Sequence, residues 1–267
     1  MAERVTVSME GGVADVRMNR AEKLNAIDQA MFEALAETGK ALAAERAVRA
    51  VVLSGEGRAF CAGLDFASFM AMAGDRGSGE LLTNRHSESP ANRAQRAAWI
   101  WTEVPVPVIA AVHGVAFGGG LQIALAADIR IAAPDAQLSV MEIKWGLIPD
   151  MTGTQTLRRL VRLDVAKELT FTGRIVSGQE AASLGLVTRV TTDPRAAALA
   201  LARDIASKSP DAIRAGKQLL NRTVELGVAD GLQLEEKTQV GLIGSANQIE
   251  AVQANMQKRA PAFRDPA

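Results

Sequence analysis

Two glycine-containing loops set the frame of this chain. Ala59-Phe60-Cys61-Ala62-Gly63-Leu64-Asp65 follows the run Arg49 to Ser54, and His113-Gly114-Val115-Ala116-Phe117-Gly118-Gly119-Gly120 follows Val108-Ile109-Ala110-Ala111-Val112. Each run reads as a buried strand, and each loop leads into a helix. Glycines in such turns let the backbone come close to a ligand, and free N–H groups at a helix start favour negative charge. Two N–H groups aimed at one point make an oxyanion hole. Taken singly, each loop fits an unliganded strand-to-helix turn equally well.

The flanking sequence extends the β/α pattern. Val5–Met9 and Val13–Met18 around Glu10-Gly11-Gly12 predict an opening hairpin. Asp28 is placed to cap an amphipathic helix running to about Arg46. Met72 to Arg93, rich in Gly, Ser, Asn and charge, reads mostly as a mobile segment. Trp99 and Trp101 fall in a helix before Val108, Leu121–Ala127 in another, Ile129–Ala133 and Val187–Val190 in strands. Ser177-Gly178-Gln179-Glu180 is a capping box, and Ser209-Pro210 opens a helix with proline at its first position. A β/α core is therefore expected over 1–193, with a helical region over 194–267. About 70 residues of helix are few for an independent domain, so they are expected to pack on the core or on a neighbouring subunit.

Composition narrows the function. Lys plus Arg and Asp plus Glu are 30 each, which gives no general pull toward nucleic acid or an anionic membrane. With 7 Phe, 3 Trp and no Tyr, the chain has little aromatic surface for stacking bases. The longest apolar run, Val104 to Val112, is broken by Pro105 and Pro107 and falls short of the ~20 residues a membrane helix needs. The start MAERVTVSME has no secretory pattern, and Cys61 is alone, so a reducing cytoplasm is the expected compartment. His86 and His113 cannot form a paired-histidine zinc motif, and no metal site is expected. Gly118-Gly119-Gly120 lacks dinucleotide spacing, Gly216-Lys217 is followed by Gln218 rather than Ser or Thr, and no GxSxG elbow occurs. Catalysis must lean on carboxylates, hydroxyls or backbone amides.

Several segments together resemble the crotonase superfamily, the enoyl-CoA hydratase/isomerase family. They are Asn19-Arg20 with Leu24-Asn25-Ala26, Ala59 to Asp65, Ile109 through Gly120, Ala126-Ala127-Asp128-Ile129-Arg130 and Gly153-Thr154-Gln155. The matches run in order from about residue 5 to 190, and the helical tail ending Lys258-Arg259 and Phe263 fits as well. The resemblance implies an α/β fold, a spiral of ββα units with a C-terminal helical region that trimerises. It implies an acyl-CoA thioester substrate, with coenzyme A part of the substrate and no separate cofactor. It implies an enolate held by the N–H groups of Leu64 and Gly119. Lys23, Leu24, Ala26 and Ala62 would lie along the adenine end of CoA. Asp65, Gly118, Trp145 and Phe263 join the substrate-binding set, with loop anchoring open for Asp65 and core packing open for Trp145 and Phe263. Assembly is expected as a trimer or a dimer of trimers.

The acid–base groups separate the family's chemistries. Its hydratases carry two glutamates opposite the oxyanion hole; the matching positions here are Gln122 and Glu142. A glutamine exchanges no proton at neutral pH and can only orient a water or a carboxylate. A second carboxylate, Asp150, follows Gly146-Leu147-Ile148-Pro149, where the family's hydratases usually have glycine and its dienoyl-CoA isomerases have aspartate. Those isomerases also carry an aspartate at the position of Gln122, so the chain departs from them there. Asp150 has a competing reading as the cap of the helix starting near Gly153. His113 and Cys61 read as packing residues, and Arg158, Arg159 and Arg162 as a solvated face or a subunit contact. Isomerisation of an enoyl- or dienoyl-CoA by Glu142 and Asp150 is the first expectation. The alternatives are hydration by Glu142 with Gln122 positioning water, and a catalytically weak acyl-CoA-binding scaffold. Convergence of Glu142 and Asp150 on one pocket would count against the scaffold.

Overall fold

The computed structural model describes residues 3–67, 82–85 and 89–266. Strands β1 (Val5–Glu10) and β2 (Val13–Met18) pair antiparallel across the Glu10–Val13 turn, as the hairpin signal requires. Beyond β2 the sheet is parallel: β3 (Ala50–Gly55), β4 (Val108–Val112), β6 (Ile129–Ala132) and β9 (Arg189–Val190), in the order β1-β2-β3-β4-β6-β9. All six residues of β3 and all five of β4 are buried, as expected of strands covered on both faces.

A second, smaller sheet holds β5 (Val115–Phe117), β7 (Gln137–Ser139) and β8 (Val176–Ser177). The chain steps from one sheet to the other at β4–β5, β6–β7 and β8–β9, which is the spiral of a crotonase-like α/β fold. Single bridges extend the inner layer: Cys61 pairs with Ala116 and Ile27 with Leu64, both parallel. The Cys61–Ala116 bridge lays the two glycine loops side by side, and the Ile27–Leu64 bridge ties the first of them to the segment before α1.

Helix α1 (Gln29–Ala44) starts where expected, with the Asp28 carboxylate accepting from the Met31 N–H. It packs on α2 (Arg93–Glu103). The expected mobile stretch is corrected at its C-terminal end. Ser89, Ala91 and Asn92 are buried, and Asn92 forms a reciprocal capping box with Gln95 that opens α2. Residues 72–81 and 86–88 of that stretch lie outside the described residues. Helices α3 (Gly119–Leu125), α4 (Gly153–Leu160), α5 (Leu163–Thr172) and α6 (Gly178–Leu184) complete the core.

Helix α7 (Pro194–Ala206) lies on the large sheet, burying Ala198 and Ala202 against Val52, Ile109 and Ile131. Helices α8 (Pro210–Thr223), α9 (Val228–Leu242) and α10 (Ala246–Gln257) follow. One buried lysine ties this arm to the core. Lys217 Nζ on α8 donates to Trp101 O (3.1 Å), Val106 O (3.0 Å) and Asp128 Oδ2 (2.7 Å). Burial lowers its pKa, and the Asp128 charge opposes that. Among the described residues no helix is long and apolar enough to cross a membrane.

Candidate active site

The site is built from the inner layer. Asn25 is fully buried with a left-handed φ of 56°. Its Nδ2 donates to Glu56 O (2.9 Å) and Ala59 O (2.8 Å), and its Oδ1 accepts from Arg20 N (2.9 Å). One side chain thus fixes the loop after β3 to the turn before α1. Arg20 also bonds Asp65 Oδ2 at 2.8 Å, so Asp65 anchors the far end of the loop.

The parallel bridge to Ile27 then decides which way Leu64 faces. Ile27 N–H donates to Gly63 O (2.8 Å) and Asp65 N–H donates to Ile27 O (3.0 Å). In a parallel pair this leaves the N–H and C=O of Leu64 pointing away from Ile27. Gly119 is the first residue of α3, so its N–H has no intrahelical partner. Two glycines make the approach of the loops possible. Gly63 has φ +90°, and a Cβ there would lie 2.6 Å from Phe117 O and 3.7 Å from Gly119 N. Gly118 has φ +50°, and a Cβ there would lie 3.3 Å from Glu142 Oε1. Leu64, Gly118 and Gly119 line one cavity with Glu142, and neither the Leu64 nor the Gly119 N–H has an acceptor among the described residues.

Gln122, one turn into α3, is buried and spans two elements. Its Nε2 donates to Glu142 Oε1 (2.6 Å), and its Oε1 accepts from Gly153 N (2.8 Å) at the start of α4. Glu142 lies in a short 3-10 turn, Met141–Trp145, after β7. It is 9% exposed, and its Oε2 has no hydrogen-bond partner among the described residues. An unpartnered, buried carboxylate oxygen is costly unless something else uses it. Burial lifts the Glu142 pKa above the ordinary glutamate value. Its own backbone N–H and Gln122 oppose that lift, and the Asp150 charge adds to it.

Asp150 does not cap α4. The capping position is Thr152, at φ 75° and without a side-chain cap bond. Asp150 instead lines the same cavity as Glu142, exposed at its rim, and loss of hydration still holds its carboxyl above the ordinary aspartate value. The cavity measures about 240 Å³. It brings together Ala62, Leu64, Gly118, Gly119, Gln122, Glu142, Trp145 and Asp150, all named from the sequence. Its apolar wall includes Phe32, Phe66, Leu82, Phe117, Leu147 and Ile148, which sequence reasoning missed. Phe66 had one available signal, its position two residues beyond Leu64 in a constrained loop. The Phe66 and Trp145 rings stack with centroids 4.1 Å apart, tilted by 31°.

The other named residues lie elsewhere. Lys23, Leu24 and Ala26 are not among the residues lining the cavity; Leu24 adjoins it, its O accepting from Ala62 N–H at 2.9 Å. Within this chain Phe263 lies apart from the chamber and lines a separate cavity with Gly12, Arg49 and Ser207. The tail reaches that place because Arg49 pairs with Asp265 at 2.8 Å and Asn247 holds Arg264 on both sides. His113 Nε2 bonds Gly57 O (3.0 Å), and Cys61 is a buried thiol pushed up to about 12 by burial. Arg158 and Arg159 pair with Glu225, and Arg162 with Asp164, at the surface. No group of three or more His, Cys, Asp or Glu that could hold a metal occurs among the described residues.

Chemically, such a chamber can hold an apolar chain, move protons through two carboxylates and receive negative charge on two amides. The family profile described as Enoyl-CoA hydratase/isomerase matches residues 8–266. Mitochondrial methylglutaconyl-CoA hydratase of Mus musculus is 32% identical over 263 residues, covering 95% of this chain and 80% of its own. The mitochondrial enoyl-CoA hydratase domain-containing protein 2 of Mus musculus is 36% identical over 262 residues, with 94% and 84% covered. The crystal structure of an enoyl-CoA hydratase from Bacillus anthracis superposes with a TM-score of 0.89 at 32% identity, covering 97% of this chain and 98% of that one. Profile, relatives and fold agree along nearly the whole chain, and this protein belongs to the enoyl-CoA hydratase/isomerase family, the crotonase superfamily.

Proposed function

We propose that this enzyme isomerises a double bond in the acyl chain of an enoyl- or dienoyl-CoA. One carboxylate of the Glu142–Asp150 pair removes a proton from the acyl chain. The electron pair delocalises toward the thioester oxygen, which accepts hydrogen bonds from the N–H groups of Leu64 and Gly119. The other carboxylate returns a proton further along the chain, so the double bond moves and no atom is gained or lost. Gln122 holds Glu142 in place and leaves its Oε2 free for the proton. Coenzyme A enters as part of the substrate, and Leu24 and Ala62 flank its path.

The observation that carries this reading is that Glu142 and Asp150 line one cavity while both ends of the Gln122 amide are already bonded. A residue tied to Glu142 and Gly153 is better suited to orient a carboxylate than to hold a water by itself. The shared cavity also counts against a scaffold without chemistry. Hydration of an enoyl-CoA is the second reading, favoured by the names of the relatives. In it Glu142 alone would deliver water, with the second Nε2 proton of Gln122 as guide.

A panel of enoyl- and dienoyl-CoA thioesters separates the two. Under isomerisation, ultraviolet absorbance changes while product mass stays equal to substrate mass. A product heavier by one water from every active substrate would replace this reading with hydration.

A further inference from the structure

Resting on the acyl-CoA reading above, we infer that the acyl chamber is selective for uncharged, apolar chains and rejects an acyl group that ends in a carboxylate. The Phe66–Trp145 stack is the selecting wall.

Among the described residues lining the chamber, the charged side chains are Glu142 and Asp150, both acidic. The two already oppose each other: the Asp150 charge is among the causes that lift the Glu142 pKa. A third carboxylate in the same chamber would meet like charge at short range and lose its own hydration. The apolar part of the lining disfavours it for a different reason. Phe32, Phe66, Leu82, Phe117, Leu147 and Ile148 carry no hydrogen-bond donor on their side chains, and the side-chain N–H groups among the described lining residues are those of Gln122, already bonded to Glu142, and the Trp145 indole. Lys144 Nζ stands 5.7 Å from the centre of the Trp145 ring and is not among the lining residues.

The stack joins the two working segments. Phe66 follows Leu64, and Trp145 closes the turn that begins beside Glu142. Trp145 is 51% exposed, so an apolar chain lying on it removes further surface from water. Each added methylene buried on such a wall should strengthen binding about fourfold. The mouse relative is named for a methylglutaconyl thioester, and this chamber is built for a different acyl end.

The test is binding rather than turnover, which keeps it separate from the reaction type. Hexanoyl-CoA, adipoyl-CoA and the methyl ester of adipoyl-CoA are titrated into the full-length protein by calorimetry. Hexanoyl-CoA should bind at least ~30-fold more tightly than adipoyl-CoA, since an unpaired charge taken into apolar surroundings costs at least that much. The methyl ester should recover most of the difference. Trp145→Arg places a cation in the wall and should narrow the preference about tenfold or more. Phe66→Ala should weaken hexanoyl-CoA more than a two-carbon acetyl-CoA. Equal or tighter binding of adipoyl-CoA overturns the inference and leaves the acyl-CoA reading standing. Failure of every thioester to bind overturns both.

Discussion

At the scale of single residues, the site turns on how one carboxylate is held. Glu142 gives one oxygen to Gln122 and keeps the other without a partner among the described residues, so its proton affinity is raised by burial and moderated by Gln122. The sign for pH follows directly. A base with a raised pKa is lost as pH falls through that raised value, so the acid limb of kcat/KM should lie above the ordinary glutamate value of about 4.3. Gln122→Leu removes a hydrogen bond that favours the ionised form, and the limb should move upward by about one pH unit. A pH profile of the variant checks this, and a limb that stays put would show that Gln122 does not tune Glu142. Other residues of the family pattern prove to be braces. Asp128 Oδ2 accepts from Val108 N and Lys217 Nζ, and Arg130 donates to Leu186 O and Ala127 O. Their part in the motif was legible in the sequence, but their partners, up to 89 residues away, were not.

At the scale of elements, legibility followed length and capping. The hairpin, the Asp28-capped helix and the buried strands β3 and β4 carry strong local signals and form where these place them. The second sheet was missed because its strands span two or three residues, too short for any period to show. Val115–Phe117 therefore read as loop although it pairs with β7. The start of α2 was misread because polar residues, which usually mark a mobile stretch, here cap a helix and bury their side chains. The helical arm shows an unpaired face. α9 has no buried residue, and Val228, Val240 and Ile243 are 82%, 67% and 64% exposed. Large apolar side chains left this exposed along one arm fit a surface that a partner covers. We expect a trimer or a dimer of trimers to cover this face, and light scattering should then return three or six times 28.2 kDa. A stable monomer at micromolar concentration would contradict that assembly.

At the scale of the molecule, the spiral does the positioning. The chain passes repeatedly between the two sheets, and three distant segments (62–66, 117–122 and 141–151) meet at one cavity. The polar half of that cavity was legible in the sequence, because motif positions carry Leu64, Gly119, Gln122, Glu142 and Asp150. The apolar half was not, because Phe32, Leu82 and Ile148 are ordinary hydrophobic residues whose meeting depends on the whole fold. The central claim is that Glu142 and Asp150 work as a pair, and turnover of Asp150→Asn beside Glu142→Gln and the double variant tests it most directly. Asparagine keeps the shape of aspartate and removes its proton chemistry. Each single variant should lose roughly 10²–10⁴ in kcat, the usual worth of a positioned acid or base. The double variant should be little worse than either, because groups that act as a unit are not additive. A near-normal Asp150→Asn enzyme beside an inactive Glu142→Gln enzyme would contradict the pair and leave Glu142 as the sole proton-transfer group.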